Sequence, residues 1–142
     1  MDEELSQEAS DQLDEFCQQG NAHIEEGEYY EAILCFVEGL KIIPEPKTDW
    51  EATTWLLTAI GDAYFLNEDY EMALRPFTDA MHCPGAIGNP FVHLRKGQCH
   101  LEIGELDEAA NELTRAYGME GKKIFADEHS KYIEFLATRI QM

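Results

Sequence analysis

The sequence predicts an all-α fold: an α-solenoid of three helix-turn-helix repeats with a C-terminal capping helix. Three observations predict it. Small residues recur at matching places, as Gly20, Ala32 with Phe36, Gly61, Ala73 with Phe77, and Gly97, Ala109 with Leu113. Each stretch reads as an amphipathic helix, a short turn and a second amphipathic helix. No segment makes a convincing strand. The clearest copy is Gly61 to Ala80, GDAYFLNEDYEMALRPFTDA, where Gly61, Ala73 and Ala80 let two helices approach and Tyr64, Tyr70 and Phe77 fill the seam.

Taken in order, residues 1–10 are polar and acidic and are expected to fray, although Leu5, Ala9, Leu13 and Phe16 keep helical spacing. The first helix is expected to run to about Glu26, with Gly27 as its stop signal. EYYEAILCFVEGLKII puts Ile33, Phe36, Val37 and Leu40 on one face and ends at Pro44. Pro44 and Pro46 interrupt, and Thr48 or Asp49 is expected to cap a third helix reaching about Leu66. Asn67-Glu68-Asp69 makes the turn, and the fourth helix tolerates Pro76 with a small kink. CPGAIGNP interrupts again, after which Asn89 caps a fifth helix with Pro90 at its first position. Gly104 stops that helix, and LDEAANELTRAY forms its partner. A linker and a final helix follow, with Asp127 as cap and Tyr132, Ile133, Leu136 and Ile140 along one face. The whole chain, 1–142, is expected to be one domain with repeats over about 13–46, 54–87 and 90–121 and a capping helix over about 127–140.

Composition narrows the partner. Twenty-nine acids stand against ten Lys and Arg, a net charge of −19, and residues 1–40 hold twelve acids and no Lys or Arg. Such a surface repels phosphate backbones, which excludes nucleic acid and anionic membranes and favours a basic protein surface. The N-terminus is acidic where a signal peptide needs positive charge, and no stretch approaches membrane-span length. Four cysteines without a CxxC pair fit a cytoplasmic location with reduced thiols.

The repeat resembles the tetratricopeptide repeat, whose pattern places Leu-Gly and an aromatic in the first helix and Ala, an aromatic and Pro in the second. Ile60-Gly61-Asp62-Ala63-Tyr64, Ala73, Phe77 and Ala80 follow it closely, as do Phe16, Gly20, Ala32, Phe36 and Pro44. Gly97, Gly104, Ala109 and Ala116 follow it more loosely, with Lys96 and His100 at apolar and aromatic positions. Successive glycines stand 41 and 36 residues apart, and the excess over about 34 falls at the two Pro-rich connectors, where insertion costs little. In style the chain is similar to small stand-alone bacterial tetratricopeptide proteins, either secretion chaperones or presumed immunity proteins encoded beside toxins.

The resemblance implies a concave groove lined by the first helix of each repeat, which binds a peptide or protein. It implies as partner-facing residues Asp14, Cys17, Asn21 and Glu25, then Trp55, Thr58, Asp62 and Phe65, then Phe91, Leu94, Arg95 and Gln98. Co-chaperones of the family grip a terminal carboxylate with two lysines, two asparagines and an arginine. Asn21 and Arg95 match that set, while Cys17, Ala59 and Phe91 stand where the others would be. Without the lysines an acidic tail is not compensated. Aromatics mixed with acids suit a basic or amphipathic segment instead. The alternative is a structural, self-assembling subunit, and the oligomeric state is left open.

Catalysis, cofactors and metals are not expected. His82-Cys83 and Cys99-His100 supply zinc-type ligands, but their spacing matches no finger or ribbon, and packing explains them better than a metal-dependent sensor or enzyme. No phosphate loop, GxSxG, HExxH or dinucleotide fingerprint is present.

Overall fold

In a computed structural model that describes residues 4–142, the chain forms seven α-helices. They are α1 (Gln7–Glu25), α2 (Tyr29–Ile42), α3 (Glu51–Leu66), α4 (Tyr70–Ala80), α5 (Pro90–Glu102), α6 (Leu106–Glu120) and α7 (Ser130–Ala137). Short 3-10 turns at Lys47–Asp49 and Gly121–Phe125 precede α3 and α7. Pairs α1/α2, α3/α4 and α5/α6 pack as hairpins, with α2 against α3 and α4 against α5 joining them into an array.

The seam of each hairpin is the contact the glycines allow. A methyl group built on Gly61 would lie 2.7 Å from ring carbons of Phe77, and one on Gly97 would lie 2.6 Å from Leu113 Cγ. Gly20 meets the Phe36 ring in the same way. Opposite them Ala32, Ala73 and Ala109 are completely buried. Backbones this close leave no room for a Cβ, so glycine and alanine recur for a steric reason.

The three turns close alike. The N–H of Glu28, Asp69 and Glu105 donates to the carbonyl five residues earlier, at His23, Tyr64 and His100, over 2.8–2.9 Å. The left-handed residue this needs is Gly27, Glu68 or Gly104. His23 and His100 then bond Glu28 and Glu105 through Nδ1 at 2.9 and 2.8 Å. Both histidines are half-buried and hydrogen-bonded across the turn, whereas packing alone was expected of His100.

Several helix starts differ from expectation. Residues 1–3 of the acidic N-terminus lie outside the described residues, and helix begins at Gln7 because Ser6 Oγ accepts from the Ala9 N–H. Neither Thr48 nor Asp49 caps α3: both enter a 3-10 turn, and Trp50 takes the cap position without a side-chain bond. Thr53 Oγ1 donates instead to the Lys47 carbonyl at 2.6 Å, tying the turn to the helix. Asp127 does not cap α7, since the chain passes through a turn and His129 Nδ1 accepts from the Lys131 N–H. Asn89 caps α5 as expected, with Oδ1 accepting from the Phe91 N–H at 2.9 Å.

The core runs along the array. Leu13, Phe36, Ile43, Leu56 and Ile60 fill the α1–α3 part, and Phe77, Val92 and Cys99 fill the α4–α5 part. Leu94, Leu113, Phe125, Tyr132 and Leu136 bury the C-terminal end. The Gly- and Pro-rich connector before α5 is pinned rather than loose. Thr54 Oγ1 donates to the Pro84 carbonyl at 2.8 Å, and the fully buried His93 places Nε2 2.7 Å from the Ile87 carbonyl.

Candidate binding surface

The residues implied as partner-facing divide into two groups. Asp14, Asn21 and Glu25 lie exposed along α1 at spacings of seven and four, which places them on one helix face. Trp55, on α3, is 47% exposed. Its ring meets Phe36 edge-on at 5.8 Å, so one side is anchored in the α1/α2 core while the other faces solvent. Beside it a cleft of about 360 Å³ is lined by Glu51, Thr54, Trp55 and Thr58 of α3 and by Pro84, Gly85 and Asn89 of the connector. Glu51, Trp55 and Thr58 recur at helical spacing, which aligns a carboxylate, an indole and a hydroxyl on one face. Thr58 is half-buried, and its Oγ1 is an enclosed polar atom without a hydrogen-bond partner among the described residues.

The second group is spent inside the molecule. Leu94 is packed in the C-terminal core and Gln98 is 0% exposed. Arg95 is 8% exposed, and two of its three guanidinium nitrogens are hydrogen-bonded within the protein. Its Nε donates to Asp62 Oδ1 at 2.8 Å, and its Nη1 donates to Gln98 Oε1 at 2.8 Å and to Glu128 Oε1 at 2.5 Å. Gln98 Nε2 donates to the same Glu128 oxygen at 2.7 Å. The guanidinium carbon sits 4.3 Å from the Phe65 ring centroid and 4.8 Å from that of Phe91. Leu94 and Gln98 are therefore withdrawn from any open groove, and Arg95 reaches only the side of a cleft that it shares with the C-terminal turn. The segment between Gly121 and α7 folds back over that face of α5, and Asp62, Phe65 and Phe91 are half-buried beside it.

Sequence reasoning missed Glu128. It lies 33 residues from Arg95 and belongs to no motif, and a charge pair at that distance has no periodicity to announce it. It also missed how the C-terminal segment is held. Tyr132 Oη donates to Glu102 Oε1 at 3.0 Å, and Lys131 Nζ pairs with the same carboxylate. Burial and that carboxylate together push the Tyr132 phenol well above its ordinary range.

Burial acts on the thiols in the same direction. Burial pushes Cys99 up to about 12. Burial, with the charge of Asp14 added, raises Cys17 on α1. Cys83 is buried beside an exposed His82, and Cys99 is buried beside a half-buried His100. Among the described residues, no three His, Cys, Asp or Glu side chains are grouped as a metal site would need, and no helix is long and apolar enough to cross a membrane.

Residues 16–46 match the family model of the tetratricopeptide repeat. The chain is 25% identical over 127 residues to the human DnaJ homolog subfamily C member 7, covering 88% of this chain and 24% of that protein. It thus spans about a quarter of the length of that curated relative. Among solved structures, the type III secretion chaperone SycD of Yersinia enterocolitica, in complex with a peptide of the translocator YopD, is similar with a TM-score of 0.72. Identity there is 19%, covering 94% of this chain and 95% of that one. The Arabidopsis OM64 TPR domain has a TM-score of 0.73 at 17% identity, over 93% and 99% of the two chains. The second TPR domain of human RPAP3, in complex with the HSP70 peptide SGPTIEEVD, has a TM-score of 0.69 at 21% identity, over 92% and 96%.

Proposed function

We propose that this chain, which has the tetratricopeptide-repeat fold, is a non-catalytic protein-interaction module that receives a basic or amphipathic segment of a partner on α1 and α3. The observation that carries this reading is the half-exposed Trp55 beside a cleft, with Glu51 on its own helix and Asp14 and Glu25 exposed on α1. A large aromatic anchored on one side and bare on the other is the usual centre of a binding hot spot. Acids around it add little affinity but steer a cationic partner and exclude an anionic one.

The neighbours support a peptide-binding role, and the residues here favour one partner chemistry. The RPAP3 domains are solved with acidic chaperone peptides, SGPTIEEVD and SRMEEVD. Here no lysine lies among the α1, α3 and α5 positions implied as partner-facing, and Arg95, the one arginine, is already bound to two carboxylates. SycD, a secretion chaperone solved with a peptide of the translocator YopD, supports the role of a dedicated chaperone that binds a segment of its client. An immunity protein covering a basic toxin surface would use the same residues. Both belong to one class, a stoichiometric mask.

The test uses a lysine-rich amphipathic peptide and its glutamate-rich counterpart against the full chain. The basic peptide is expected to bind and the acidic one to fail. Trp55→Ala is expected to weaken binding by about 30-fold, the order of a 2 kcal/mol hot spot, while the variant stays folded with melting lowered by the lost Phe36 contact. Association should slow between low and physiological salt, where exposed charges are screened beyond about 8 Å. Equal binding of both peptides, or indifference to Trp55→Ala, refutes the reading.

A further inference from the structure

Arg95 and Gln98 have the construction of a receptor rather than of a simple ion pair. Two donors, Arg95 Nη1 and Gln98 Nε2, converge on a single oxygen, Glu128 Oε1, at 2.5 and 2.7 Å. The donors are also held by contacts that do not involve that oxygen. Asp62 holds the Arg95 Nε, the Gln98 carbonyl oxygen holds Nη1, and the Phe65 and Phe91 rings flank the guanidinium. Every one of these groups belongs to α3 or α5. The carboxylate they bind comes from elsewhere, the turn that links the Gly121–Phe125 segment to α7. Host and guest are therefore separate pieces of structure. Beside them a cleft of about 360 Å³ opens to solvent, its lining including Phe65, Arg95 and Lys131 together with the acids Glu68, Asp127 and Glu128.

We infer that Arg95 and Gln98 form a carboxylate-binding site, that the chain fills it with its own Glu128, and that this internal ligand makes Glu128 the residue that keeps external carboxylates out. Charge-assisted bonds from a desolvated guanidinium are strong, so the site has real affinity for the group. The tether supplies its guest at an effective concentration of order millimolar or above, which a dilute free acid does not match. The site thus remains closed to acidic ligands while the turn stays docked. This deepens the proposed preference for basic partners by naming a residue that excludes the opposite class. Its test needs no partner, so the two readings fail separately.

The experiment compares the full-length chain with Glu128→Ala and Glu128→Gln by thermal unfolding and by NMR of the Arg95 Nε–H and the Gln98 side-chain amide. Truncation to alanine removes about the volume of an acetate ion. Acetate is expected to shift both resonances in Glu128→Ala and to raise its melting temperature by a few degrees, whereas chloride at equal ionic strength does neither. The original chain is expected to be insensitive to both salts. Glu128→Gln keeps the side-chain volume and an acceptor oxygen, so it folds even where the alanine variant does not. Its neutral amide is expected to yield to acetate at higher concentration, with the same two resonances moving. A short glutamate-containing peptide beside its glutamine counterpart distinguishes a protein segment from a small free acid as the outside guest. A carboxylate-specific response to either guest in the variants alone supports the proposal. No response in either variant, or an equal response in the original chain, overturns it.

Discussion

Replacing Gly61 with alanine isolates the steric rule that spaces the helices. The added methyl would sit 2.7 Å from Phe77 Cε1 and Cζ and 2.9 Å from Cδ1. Comfortable carbon contacts lie at about 3.5–4.0 Å, so the ring or the helix must retreat by about 1 Å. Phe77 is fully buried with Ala73, Val92 and Cys99 around it, which leaves no free direction. Overpacking of this kind costs about 1–3 kcal/mol. Alanine's better helix propensity returns about 0.8–1 kcal/mol, leaving a net loss of up to about 2 kcal/mol. For a chain of this size that lowers the melting temperature by several degrees. Gly118 is the internal control. It lies in α6 with nothing within 4 Å of the added carbon, so Gly118→Ala collects the propensity term alone and should melt higher. Calorimetry or far-ultraviolet circular dichroism reads both. If Gly61→Ala melts at or above the temperature of Gly118→Ala, the seam is not set by this contact.

Arg95→Ala should cost about 3–5 kcal/mol, because Asp62 and Glu128 lose their shared cation, whereas Arg139→Ala should stay within about 1 kcal/mol. The Arg139 partner, Asp107, is 93% exposed, and denaturant melts of the two variants provide the contrast. Cys99 should resist thiol reagents until the chain unfolds, while Cys17 and Cys35 react slowly. The unfolded Cys99 thiol ionises near 9 and the native one near 12, so the unfolded state binds fewer protons over that window. Stability should therefore fall with rising pH there, by about 1.4 kcal/mol per unit from this group, and Cys99→Ala should flatten the slope. In the acid range, the hydrogen bond from Tyr30 Oη, then that from Asn67, holds the Asp69 carboxyl below its ordinary value. Its contribution is present above the ordinary carboxyl range and is lost as pH falls through the lowered value. Tyr30→Phe should move the Asp69 titration upward, and an unmoved carboxyl resonance would exclude that bond.

The repeat was legible because its signals are local and periodic. Gly20, Gly61 and Gly97 announce close helix contact wherever they stand, and Gly27 and Gly104 announce a left-handed stop. At the middle turn Asn67-Glu68-Asp69 announces the stop, but that Glu68 takes the left-handed place of a glycine shows only in its φ of 63° and the hydrogen bond from Asp69 to Tyr64. Trp55 and the α1 acids are placed by the repeat resemblance, and their exposure fits that placement. Arg95, Gln98 and Leu94 are placed in the same way, yet they are covered by residues more than twenty-five positions downstream. Which face a terminal segment covers depends on how the chain turns at Gly121 and again after Phe125, and no periodicity encodes that. Thr54 and His93 were illegible for a related reason. Each is a polar residue buried because one connector carbonyl happens to meet it.

In a solenoid, each unit ordinarily senses only its immediate neighbours, so the ends can fray without disturbing the middle. The Arg95 cluster breaks that independence. One guanidinium joins Asp62 of the second hairpin, Gln98 of the third and Glu128 of the terminal turn. The last helix is therefore coupled to an element two units away, and its opening must disrupt bonds that also register α3 against α5. Amide exchange in α7 should then follow that of α5 rather than resemble an unravelling terminus. The C-terminal half should open as one cooperative block, read as matched amide protection in α3, α5 and α7.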